Sequence, residues 1–169
     1  MNQDIGRAIV FSMPVVSAAV SLILISLDTT RSSNTVDRKI HYNMIAVYCL
    51  MILFWSGLVM HSIARDTFIA YLPVFFSSFA FIPVFLYRIT HIITDTGERK
   101  LFPACHFILP ACLTLIICAI ALAVPLRQRW AAIYDNEVNL TSAIIDITFI
   151  VCILLCILYS WLSLLRIKS

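Results

Sequence analysis

Five long apolar stretches follow one another along the chain, separated by short polar segments. A helix rises about 1.5 Å per residue, so a hydrocarbon core about 30 Å thick takes about 20 apolar residues. Reading between charged positions predicts spans at about 8–27, 41–63, 67–87, 103–125 and 142–165. The runs are continuously apolar and do not alternate with period two, which argues against a β-barrel. Helices are then the way to satisfy the backbone in lipid. Of the connections, 28–39 is polar and rich in Ser and Thr, and 64–66 is so short that helices two and three must form a tight hairpin. Segment 88–100 carries the turn signal Asp95-Thr96-Gly97, and 127–137 is a loop of mixed charge with Trp130 and Tyr134. The first run is 20 residues long behind a single basic residue, Arg7. The apolar part of a cleaved leader is about 7–15 residues, so a retained span is expected.

Composition agrees with this pattern. Hydrophobic residues make up 62% of the chain and charged residues 12%, against about 25% charged in a soluble domain. Such a chain cannot cover a water-facing surface, and it is too apolar and aromatic to be disordered. The expected fold is all-α: one polytopic membrane domain, a bundle of about five helices, packed through bends and small residues such as Ser17, Ala18, Ala19, Ser77 and Ser78.

The net charge of +3 is small, and its placement matters more than its size. Lys and Arg accumulate on the cytoplasmic side. Arg7, Arg65, Arg127 and Arg129 fall at one set of span ends, four in all. Arg31, Arg38, Lys39, Arg88, Arg99, Lys100, Arg166 and Lys168 fall at the other, eight in all. This asymmetry places the amino terminus outside and the carboxyl terminus in the cytoplasm.

Candidate chemistry is sparse. The six cysteines lie in or beside apolar runs without metal-ligand spacing, and thiols there behave as small apolar side chains. Prolines at 14, 73, 83 and 110 each remove the N–H that would serve the carbonyl four residues earlier. Pro14, Pro73, Pro83 and Pro110 are therefore expected to kink their helices, at the carbonyls of Val10, Ile69, Phe79 and His106. Asp146 is the one acid inside a predicted span, and such a residue is a functional candidate. If the span starts just after it, the carboxylate sits at the outer interface; if it is buried, its partners at matching depth are His61, Arg7 and Arg127. Asp146 and His61 are the ligand- or proton-linked candidates. His41 and His106 lie near the inner ends of their helices, but a ring at an interface needs no haem. No catalytic motif, metal site or cofactor is expected, and the chain reads as a non-enzyme.

One stretch carries a specific pattern. Tyr87-Arg88 is followed by Thr94-x-x-Gly97, then Phe102, then His106-Phe107-x-x-Pro110. This resembles the membrane region ahead of the DNA-binding domain in some bacterial membrane-anchored AraC-type regulators. There a Tyr-Arg pair closes one helix, a Thr-x-x-Gly turn follows, and a Phe and a His-aromatic-x-x-Pro motif open the next. The similarity covers about two dozen residues; elsewhere only the hydrophobic rhythm is shared. It implies a multi-pass sensor or anchor in the bacterial inner membrane, feeding a cytoplasmic helix-turn-helix domain in transcription regulation. The chain departs from that pattern by stopping at Arg166-Ile167-Lys168-Ser169, directly after a span, and is expected to be a fragment or a truncated relative. These 169 residues hold no DNA-reading element, so the expected partner is the lipid bilayer and not nucleic acid. A homo-oligomer is left open. The rival expectation is a small transporter or channel component using a polar path near Asp146.

Overall fold

The computed structural model describes residues 2–31, 34–94, 102–135 and 139–168. The described chain forms α1 (Asn2–Arg31), α2 (Thr35–Ile63), α3 (Arg65–Ile93), a 3-10 turn (Ala104–Phe107) running into α4 (Ile108–Ala123), a short α5 (Leu126–Tyr134) and α6 (Leu140–Lys168). Five of these helices are long and apolar enough to cross a membrane, the fourth only with its 3-10 turn included. A 29-residue helix such as α3 is about 44 Å long, enough to pass through the hydrocarbon and both headgroup layers.

Local signals set the breaks. The Asn34 side chain accepts a hydrogen bond from the Val36 N–H and opens α2, as a short polar side chain does at a helix start. Ala64 alone separates α2 from α3, with φ −140° and ψ 68°. The tight hairpin expected at 64–66 is thus turned by one residue, and α2 and α3 pack along each other.

The core is built on α3. Ile69, Leu72, Phe76, Ala80, Val84 and Tyr87 form a buried stripe at three- and four-residue spacing, the signature of one helix face. Leu113, Ile117 and Ile120 of α4 and Ile145, Cys152, Leu155 and Tyr159 of α6 bury against it. Of the spanning window of α3, 44% is buried, against 6% for α1, which packs along α2. The packing order is therefore α1 on α2, α2 on α3, with α4 and α6 on the other flank of α3. Successive long helices run antiparallel, so Asn2 and Lys168 lie at opposite ends.

Gly57 fixes how closely α2 and α3 approach. A Cβ there would sit 2.6 Å from Phe75 Cδ2 and 3.3 Å from Tyr71 Cε1. The Phe75 ring is stacked on Phe54 at 5.0 Å and edged by Phe68 and Phe76, so displacing it disturbs an aromatic cluster. Of the small residues expected to pack helices, Ala18 and Ser78 are buried, while Ser17 is exposed.

Three expectations are corrected. The segment 127–137 is not simply a loop: residues up to Tyr134 form α5, which Pro125 opens, since a fixed φ and a missing N–H suit a helix start. Pro110 does not kink a long helix, because it stands in the first turn of α4, directly after the 3-10 turn, where backbone N–H groups lack intrahelical partners anyway. Tyr87 and Arg88 do not close α3, which continues to Ile93 and is capped at Thr94. Pro14, Pro73 and Pro83 do lie inside their helices.

Candidate functional site

At the end where α1 begins, four long helices surround a cavity of about 450 Å³, within the size range of small-molecule sites. Its floor is apolar and largely aromatic: Phe68, Leu72, Phe75 and Phe76 of α3, with Phe11 of α1, Leu58 of α2 and Phe149 of α6. Its rim is charged: Asp4 and Arg7 of α1, His61 and Ser62 of α2, Arg65 of α3 and Asp146 of α6. Both sequence candidates, Asp146 and His61, thus line one cavity together with Arg7. Arg127 is not in its lining; it lines a separate surface hollow with Gln128 and Asn139.

Asp146 is exposed and stands in the second turn of α6, six residues after Leu140. The helix does not begin at the carboxylate, so the dipole of a first turn does not hold it. The His61 ring meets Phe68 edge-on at 4.9 Å and Tyr134 at 5.4 Å. The Arg65 guanidinium lies over the Tyr134 ring at 5.1 Å. Burial pushes the Tyr134 hydroxyl above its ordinary range, Arg65 works against that shift and Asp66 adds to it. Among the described residues the one ion pair is His41 Nε2 with Asp28 Oδ2 at 3.4 Å, at the opposite end of the bundle. Asp4, Arg7, Arg65 and Asp146 therefore share a cavity without pairing with one another.

Arg129 of α5 sits beside this site and was missed as a site residue. It is 9% exposed. Its Nε donates to the Val124 carbonyl at 3.1 Å and its Nη1 to the Ile69 carbonyl at 3.2 Å. Ile69 is the residue whose carbonyl Pro73 leaves without an intrahelical donor, and Val124 ends α4. One guanidinium thus closes the break in α3 and the carboxyl end of α4, where a cation is favoured. The available signal was the pairing of a freed carbonyl with a basic residue at the same depth.

The opposite end holds the motif residues. Tyr87 of α3 contacts Phe102 at 5.8 Å, His106 at 5.3 Å and Tyr159 of α6 at 5.6 Å. Tyr159 Oη donates to the His106 carbonyl at 3.2 Å, the carbonyl that Pro110 cannot serve. His106 Nδ1 is also 3.2 Å from Tyr159 Oη; with Nδ1 carrying its proton, both contacts are satisfied. Arg88 lies over Phe102 and Phe107 at 5.9 and 6.0 Å. Arg166 Nε donates to Thr94 Oγ1 at 2.9 Å and ties the end of α6 to the end of α3. The structure brings Tyr87, Arg88, Phe102 and His106 into one cluster, with Pro110 beside it in the first turn of α4 and Thr94 held through Arg166. Gly97 lies outside the described residues.

Among the described residues no three His, Cys, Asp or Glu side chains are grouped to hold a metal ion. Comparison with protein-family models, curated proteins and solved structures returned no match.

Proposed function

We propose that the chain is the non-enzymatic sensor or anchor region of a multi-pass membrane protein, receiving a ligand in the cavity at its amino-terminal end. The observation that carries this reading is the pairing of an aromatic floor with charges of both signs that have not neutralised one another. A pocket lined mainly by apolar groups with a few placed polar ones is the usual form of a ligand site. The Tyr87–Phe102–His106–Tyr159 cluster joins α3, the start of α4 and α6 at the far end, and serves as the output side. The eight-to-four distribution of Lys and Arg assigns the output side to the cytoplasm. Together with the resemblance of 87–110, this favours signalling, in a transcription-regulatory protein of a bacterial inner membrane.

The transport alternative needs a polar path from Asp146 through the bundle. Beneath the cavity the interior is closed by Ile69, Ala80, Val84, Ile117 and Cys152, each fully buried. That favours a site entered from one side over a channel. A reporter fused after Ser169 tests the assignment: it is expected to be active only in the cytoplasm, and an exported fusion overturns both the orientation and the regulatory reading.

A further inference from the structure

We infer that the cavity seats one acyl chain of a phospholipid from the adjoining leaflet, whose headgroup at the rim carries both a phosphate and an amine. This deepens the ligand-binding reading above and rests on it. On α3 the lining runs from Arg65 at the rim to Phe76 at the bottom. Eleven residues of helix span about 16 Å, close to half of a hydrocarbon core about 30 Å thick. Along α3 the slot is therefore about one leaflet deep, the length available to one acyl chain, while α1, α2 and α6 line its upper part. Its walls at that depth are Phe68, Phe75 and Phe76, all buried and apolar.

The flanking helices give the slot its access. The cavity is walled by α1 on one side and α6 on the other, and those two helices do not pack along each other. An acyl chain lying in the bilayer reaches it from the side.

Charge complementarity selects the headgroup. Arg7 and Arg65 stand on the rim beside Asp4 and Asp146, and none of the four forms an ion pair with a described residue. With His61 neutral the rim carries two charges of each sign and sums to zero. A purely anionic headgroup satisfies the arginines and is repelled by the carboxylates. A phosphate with an amine satisfies both: the phosphate at Arg7 and Arg65, which offer fork-shaped donors, and the amine at Asp146.

The full chain, purified in detergent and titrated with phosphatidylethanolamine or phosphatidylglycerol of matched acyl chains, tests this by native mass spectrometry. One phosphatidylethanolamine is expected to bind, about tenfold more tightly than phosphatidylglycerol. Asp146→Asn is expected to abolish that preference, and Arg7→Gln to weaken both lipids by about tenfold. Both side chains are exposed, so helical circular dichroism should stay unchanged. Equal retention of the two lipids, or retention unmoved by either substitution, means annular lipid only and overturns the site. Tighter binding of phosphatidylglycerol overturns the headgroup assignment. Absent selectivity with a cytoplasmic carboxyl-terminal reporter defeats the lipid assignment alone. Intact selectivity with an exported reporter defeats the sensor reading alone.

Discussion

Arg129 shows what a proline inside a membrane helix requires of its surroundings. With no water in the hydrocarbon, a carbonyl stripped of its helical donor is costly until another group reaches it. Pro73 strips Ile69, and the Arg129 guanidinium answers from α5. Arg129→Met is expected to destabilise the fold by about 1.5–3 kcal/mol, the usual worth of hydrogen bonds to a charged group. In a Pro73→Ala background the residue at 73 regains its N–H and serves Ile69, so that cost should fall by about half; the bond to Val124 accounts for the rest. Thermal unfolding of the four variants in detergent measures the coupling, and strictly additive effects would contradict the shared carbonyl. At this scale the sequence named the four freed carbonyls, because proline chemistry is local. It could not name the donors, because 60 residues separate Arg129 from Ile69 and 53 separate Tyr159 from His106.

Among the elements, α3 is one whose limits the hydropathy pattern read short. The pattern stops at Arg88 because hydropathy marks where hydrocarbon ends, whereas helical hydrogen bonding continues until something caps it. Here Thr94 caps it, its backbone N–H bonded to the Thr90 carbonyl. For the same reason α1 reaches Arg31, beyond the predicted 27. The nine residues of α5 were hidden by their mixed charge, which reads as a loop when only spans are sought. Gly57 was also invisible as a packing residue, since one glycine in an apolar run does not say which helix it faces. Gly57→Ala is expected to cost about 1–2 kcal/mol. The gain in helix propensity, about 1 kcal/mol, is outweighed by overpacking against a ring held in an aromatic cluster, typically 1–3 kcal/mol or more. Phe75→Leu in the same chain should recover part of the loss. An unfolding midpoint in a denaturing-detergent titration that is unchanged or raised by Gly57→Ala would show that the Phe75 ring gives way.

For the whole molecule, the all-helical class and the five long apolar helices were legible from the run lengths alone, because lipid permits few alternatives. The joint placement of Asp146, His61 and Arg7 was partly legible, since depth in the membrane follows from distance to the span ends. Which helices face one another around that depth was not. It depends on α3 lying at the centre, and the apolar faces of membrane helices are too alike to encode that order. The charged rim therefore emerges only when α1, α2, α3 and α6 are assembled.

If the cavity takes lipid as proposed, the gap between α1 and α6 also governs how it fills. A guest that arrives sideways never passes through bulk water, so its activity is set by its share of the leaflet and not by its molarity. Occupancy should then stay constant when a reconstituted sample is diluted with buffer, and fall when the same sample is fused with vesicles of a lipid that does not bind. The opposite pattern, read by retained lipid per protein, would mean that the cavity is filled from the aqueous side. A membrane protein filled this way would report on the composition of its own solvent.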